Sequence, residues 1–251
     1  MRLGMRMAEE IPVRQNSDFV AKFLQNVRGA VPLAIEQIDM MLRLITAARG
    51  ERLGTFLDLG CGDGVLAAAI LNEHPNSQAV LVDLSEPMLE AARRHLEPHG
   101  PRAEFLAADF HQEGWTRPVA PHAPLDCVVS SFAIHHLPAG RKRALYREIY
   151  DLLAPEGIFI NIEHVYSATR WTESVLDDYM IAAIFGEELK TSPGRKRAEI
   201  ARDYYQRAPQ DAGSLAPLEV QCDWLHEIGF ENVDCYLKVQ ELAVFGGQRP
   251  A

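Results

Sequence analysis

The chain is poor in the features that would place it outside the ordinary globular class. Among 251 residues there are four cysteines, Cys61, Cys127, Cys222 and Cys235, and none forms a Cys-x-x-Cys pair or has metal-ligand spacing. That excludes a disulfide scaffold and a zinc ribbon, and reduced thiols in a cytoplasmic protein are expected. No apolar run is long enough to span a bilayer, and the N-terminal MRLGMRMAEE lacks an apolar signal core, so neither membrane nor export is expected. Basic charge is also short: 25 Lys and Arg against 35 Asp and Glu leave a formal charge of -10. A polyanion is therefore a poor obligatory partner, and no DNA binding is expected. The clusters Arg141-Lys142-Arg143 and Arg195-Lys196-Arg197 have no aromatic residues interleaved and read as solvated helix faces.

What is present is an alternation. TFLDLG, QAVLVDL, RAEFLAAD, LDCVVSS and GIFINIEHV read as buried strands between residues 51 and 165, separated by segments long enough for crossover helices. This is the rhythm of a parallel sheet in an α/β fold. VLAAAILNE after Gly64 carries a helical stripe stopped by Pro75, SEPMLEAARRHLE offers Ser85 as N-cap with Pro87 just inside, and Leu145, Ile149, Leu152 and Leu153 make another apolar face. Residues 1–50 read as a helical cap, residues 166–217 as a mostly helical lid insertion, and residues 218–251 as a helix followed by a closing hairpin. The expected fold is a Rossmann-like, doubly wound, mostly parallel seven-stranded sheet with an antiparallel last strand, its ligand side covered by the two helical zones.

The chemistry starts at TFLDLGCGDG. Glycines after a strand let a ligand approach backbone amides at a helix N-terminus, but G-x-G-x-G at Gly60, Gly62 and Gly64 is not the dinucleotide spacing, and no G-K-[ST] follows. Asp58, two residues earlier, would repel a phosphate. A ligand with a cationic end fits better, and S-adenosylmethionine has both an ammonium and a sulfonium. Asp83 closes a second strand where a carboxylate can accept from ribose hydroxyls, and Asp109, beside Phe110, closes a third.

FLDLGCGDG, VDLSEPML, AADF, LDCVVSSFAIHHL and LLAPEGIFI together resemble the successive motifs of class I S-adenosylmethionine-dependent methyltransferases, over roughly residues 15–247. The resemblance implies S-adenosylmethionine as cofactor, with Asp58 and Gly60 at its methionine end, Gly62 and Gly64 giving close backbone passage, and Asp83 at the ribose. It also implies Asp109 and Phe110 at the adenine, Ser131 at the methionine portion, and Cys61, Leu84 and Met88 among the neighbours. The chain ends, FLQNVRGAVPLAIEQIDMM and WLHEIGFENVDCYLKVQELAVFGG, are similar to the carboxy-S-adenosylmethionine synthase branch, which makes a modified cofactor for tRNA wobble-uridine modification and in which a late-insertion arginine would hold an extra carboxylate. Arg207 lies near that place.

No catalytic dyad is required, because methyl transfer from a sulfonium is an in-line displacement that positioning can promote, and a base is needed only for a weak nucleophile. The candidates for acceptor chemistry are His135 and His136 after the fourth strand and Glu163 and His164 at the end of the fifth. Adjacent histidines point apart, so one of the first pair is expected to pack and the other to face the cleft. Arg14, Arg28, Tyr204, Tyr205 and Arg207 are candidate substrate contacts, and no metal site is expected. SSFAIHHLP stands where amino-methylating DNA enzymes resemble N-P-P-Y, which disfavours nucleobase amines. The expectation is a methyltransferase for a small molecule, O-acceptor or carboxylate, in a possible homodimer, with a non-catalytic cofactor-binding subunit as the reading of another class.

Overall fold

The computed structural model describes residues 31–167, 169–191, 194–211 and 215–251, with no side-chain description at residues 187, 190, 191 and 206–211. Arg14 and Arg28, and the side chain of Arg207, lie outside the described residues.

Seven strands form one sheet in the order β3-β2-β1-β4-β5-β7-β6. These are β1 (Thr55–Leu59), β2 (Gln78–Asp83), β3 (Ala103–Ala107), β4 (Leu125–Ser131), β5 (Leu153–His164), β6 (Glu231–Val239) and β7 (Leu242–Gln248). The first five pair in parallel, and β7 runs antiparallel to both β5 and β6, as the closing hairpin requires. Leu153, read as the end of a helix face, is the first residue of β5.

Alternate side chains of each strand feed two cores, which is the mark of a sheet covered on both faces. On one side Phe56, Leu81, Val129, Ile160 and Ile162 pack under α1 (Ala34–Ala48), α2 (Val65–Glu73) and α3 (Glu86–His95). On the other, Leu57, Val80, Val128, Phe159 and Phe245 pack under α4 (Ala139–Leu152) and α7 (Leu218–Ile228). The amphipathic helix α1 buries Ile38, Met41, Leu42 and Ile45 in the first core, and Arg49 at its end is ion-paired to Asp126 at the start of β4. It is a layer of the core, with only its first turn at the ligand side of the sheet.

The insertion between β5 and α7 is a pair of helices, α5 (Arg170–Thr191) and α6 (Arg197–Asp211). Leu176, Ile181 and Ile200 are buried, and the Arg197 guanidinium donates to the Asp178 carboxylate at 2.5 Å. Arg195, Lys196 and Arg197 are exposed here, as expected of a solvated face. The other basic cluster departs from that reading. Lys142 is buried and donates from Nζ to the carbonyls of His135 (2.8 Å) and Leu137 (2.5 Å). Arg141 grips Glu148 and the Phe110 carbonyl, and only Arg143, paired with Glu227, is solvated. The reason is α4's position: it packs flat on the sheet, and two of its cations point toward loops that need donors. No helix among the described residues is long and apolar enough to cross a membrane.

Candidate cofactor site and acceptor cleft

The glycine loop turns because three of its residues occupy the left-handed region, Gly60 at φ 71°, Gly62 at 55° and Gly64 at 78°. A side chain at any of them would be strained. At Gly60 a Cβ would also run into the Ala133 methyl, so the loop after β1 lies directly against the turn after β4. The amides of Gly60 and Cys61 both donate to the Val82 carbonyl, at 2.8 and 3.0 Å, tying the loop to β2. Asp58 is buried and its Oδ2 accepts from the Ala67 amide at 3.1 Å, serving one of the otherwise unpartnered first-turn donors of α2. Negative charge there also suits the positive end of the helix. Cys61 is buried, and burial, then Asp58 and Asp83, push its thiol far up, so it is an inert lining residue.

Asp83 sits at the carboxyl end of β2 with Oδ2 on the Gly62 amide (2.9 Å) and Oδ1 on the Ser85 amide (2.8 Å). A carboxylate has about four acceptor sites, so each oxygen keeps capacity for a ribose hydroxyl. Ser85 stands at the N-cap position of α3 as expected, but its side chain makes no capping bond; Asp83 takes its amide instead. Beside Asp83, Leu84 and Met88 are 58% and 49% exposed, an uncovered apolar pair suited to a flat ring. Asp109 accepts from the amide and Nδ1 of His111, both at 2.9 Å. Burial alone would raise its carboxyl, but these bonds and one from Gln112 outweigh it and hold the group below its ordinary value. Phe110, expected beside the adenine, has its ring in the core against Gly60, so its side chain supports the loop. The physical reason is that Trp115 and Val119, further along the same connection, fold into the same core.

The ends of β4 and β5 carry a second, more polar construction. Phe132 turns the chain at φ 50° and donates its amide to the Ile162 carbonyl at 2.9 Å. Ser131, Phe132 and Ile162 then wall a small, partly open recess with Val31, Ala34, Gln37 and Ile38 at the start of α1 and Leu66 of α2. Of the histidine pair, His135 is buried and His136 exposed, their rings 3.8 Å apart. Glu163, wholly buried, takes the His135 Nδ1 (2.6 Å), the His135 amide (2.9 Å) and the His164 amide (2.9 Å). His164 in turn places Nε2 2.9 Å from Oε2 of buried Glu241, in the turn between β6 and β7. Above them, Asp177 of α5 is hydrogen-bonded to Tyr204 of α6; burial, then Asp177, push the Tyr204 phenol up. Tyr205 is exposed and meets Tyr204 edge to face.

Thus the structure gathers Asp58, the three glycines, Asp83 and Asp109 along one edge, with Ser131 at its centre and His135, Glu163 and His164 at its far end. Sequence reasoning missed Glu241 and Lys142, which are recognisable only once the hairpin and α4 are in place. It also missed the buried relay in which Tyr146 donates to Gln221 at 2.6 Å and receives from Asn161 at 3.4 Å. No cluster of three or more His, Cys, Asp or Glu among the described residues could hold a metal.

A family model described as a methyltransferase domain matches residues 56–157. A carboxy-S-adenosyl-L-methionine synthase from Nautilia profundicola is 20% identical over 240 residues, covering 93% of this chain and 95% of its own. Among solved structures, human N-acetylserotonin methyltransferase in complex with S-adenosylmethionine superposes with a TM-score of 0.56 at 14% identity, over 96% of this chain; the chain spans 61% of that protein's length. A Methanococcus maripaludis protein assigned to the S-adenosylmethionine-dependent class matches end to end, over 99% of this chain and 98% of its own, with a TM-score of 0.54 at 16% identity. The site fits that cofactor: a loop turned by left-handed glycines, a carboxylate at Asp83 with acceptor capacity to spare, and acids instead of cations around a zwitterionic sulfonium. Residues 56–157 match a methyltransferase domain, and the chain has the fold of class I S-adenosylmethionine-dependent methyltransferases.

Proposed function

We propose that the protein transfers a methyl group from S-adenosylmethionine to a small-molecule acceptor held between the carboxyl edge of the sheet and the α5–α6 lid. The observation that carries the reading is the recess walled by Ser131, Phe132, Ile162 and α1, next to the glycine loop and largely apolar. Its mostly apolar walls suit the apolar part of a small acceptor, in a protein whose charge of -10 argues against a nucleic-acid substrate. When bound, the cofactor supplies an electrophilic methyl on its sulfonium. The protein's part is to hold and orient: Asp83 retains the ribose, the left-handed glycines let the ligand lie on the backbone, and the acids at Asp58, Asp83 and Asp109 give the edge a negative field that suits a sulfonium. Placement in the cytoplasm and a homodimer are consistent with this reading.

The end-to-end similarity to the Nautilia profundicola protein favours a second reading, synthesis of carboxy-S-adenosylmethionine. Mass spectrometry of the small molecule that co-purifies separates the two. Unmodified cofactor or its demethylated product is the result expected for methyl transfer; a mass raised by a carboxyl group establishes the second reading instead.

A further inference from the structure

Two histidine–carboxylate pairs stand side by side at the end of β5, their rings 6.1 Å apart and nearly perpendicular, and they are not alike. His135 has 9% of its side chain exposed, its Nδ1 and amide both on Glu163 and its carbonyl on Lys142. It is a pin for the turn after β4. The His164 side chain is 28% exposed, and its only hydrogen-bonded ring atom among the described residues is Nε2, on Glu241. A carboxylate only accepts, so Nε2 carries a proton, and in the neutral ring Nδ1 is the nitrogen with the lone pair. His164 also shares a strand face with Ile162, which walls the recess, about 7 Å back along β5.

Resting on the methyltransferase reading, we infer that His164 is the general base for a hydroxyl acceptor of phenol type, and that Glu241 is its positioning residue. The acceptor's O–H proton passes to Nδ1; the oxygen keeps the electron pair of the broken bond and becomes the nucleophile. A phenol is only about one part in a thousand ionised near neutral pH, whereas an imidazole titrates in that range, so the pairing supplies what the acceptor lacks. Apolar side chains line the neighbouring recess, Val31, Ile38, Leu66, Phe132 and Ile162, and suit the apolar part of such an acceptor. The groups facing His164 are Glu241 from the β6–β7 turn, His135 from the turn after β4, Asp177 from α5 and, through Asp177, Tyr204 from α6; Glu163 holds its amide.

The first test needs no cofactor. Long-range nitrogen–proton NMR of the full chain should show neutral His164 protonated at Nε2, and Glu241→Leu should abolish that preference. Protonation at Nδ1 in the unsubstituted protein overturns the inference. The second test uses two probe acceptors, 4-methylphenol, which is protonated near neutral pH, and 4-nitrophenol assayed where it is already ionised. His164→Gln should keep S-adenosylmethionine affinity by calorimetry within about twofold, lose about 100-fold or more on 4-methylphenol, and change little on ionised 4-nitrophenol. Equal losses on both phenols refute a base. Methylation of benzylamine or thiophenol, but of neither phenol, refutes the acceptor class. If the unsubstituted protein fails to bind S-adenosylmethionine, the methyltransferase reading itself falls, a result distinct from any tautomer found.

Discussion

The two halves of the ligand edge are built by different means. At the β1 and β2 ends the edge is shaped by backbone and by residues close in sequence: a left-handed glycine every second position, and Asp83 bonded to Gly62, 21 residues away. At the β4 and β5 ends it is side chain on side chain, assembled over long separations: His135 to Glu163 across 28 residues, Tyr146 to Gln221 across 75 and His164 to Glu241 across 77. The first half is a short backbone turn fixed at both ends. The second is a set of buried polar pairs in which each group matters because its partner cannot turn to water.

That contrast can be broken at either end. The largest effect is expected from Gly60→Ala, where left-handed strain and the collision with Ala133 act together, at about 3–5 kcal/mol. Thermal unfolding and calorimetric titration with S-adenosylmethionine should show both stability and binding lost; a stable protein that binds normally would mean the two loops are not in contact. Lys142→Ala leaves the His135 and Leu137 carbonyls buried without their donor, at about 3 kcal/mol, checked by denaturant unfolding. Because Lys142 belongs to the polar half, binding of the cofactor by the folded fraction should be nearly unchanged. Asp83→Ala should leave the fold largely intact and weaken the cofactor by about 2 kcal/mol, roughly 30-fold; unchanged affinity by calorimetry refutes the ribose assignment.

The smallest effect concerns acid. Asp109 has its folded-state carboxyl held below the ordinary value, so the unfolded chain binds its proton first as pH falls. The stability it contributes is fully present above about pH 4, the unfolded value, and is lost as pH drops toward the lower folded one. Asp109→Asn should flatten the stability–pH curve slightly in that acid window and nowhere else, which urea unfolding at a series of pH values would show.

The sheet was legible because a strand buried on both faces writes a nearly continuous apolar run, as β1, β2, β4 and β5 do, while the edge strand β3 is only half-buried. The glycine loop was legible for a related reason: Gly60, Gly62 and Gly64 mark conformations that other residues resist. The reading of Lys142 as solvated went astray because charge in a helix is ordinarily exposed, and nothing local shows that α4 lays this residue over two carbonyls. Phe110 gave no sign of turning inward, since its direction is set by Trp115 and Val119 packing behind it. Glu241 is one acid beside a turn and becomes a partner only when β7 runs back along β5 to set Leu242 opposite His164.

The contact between Gly60 and Ala133 makes the cofactor loop and the turn after β4 a common wall. That wall has no slack: the glycine leaves no room on one side, while Glu163 and Lys142 clamp the turn from the others. Adaptation of such a chain to a different acceptor must therefore proceed by redrawing the α5–α6 insertion and the first turn of α1, with the shared wall inherited unchanged.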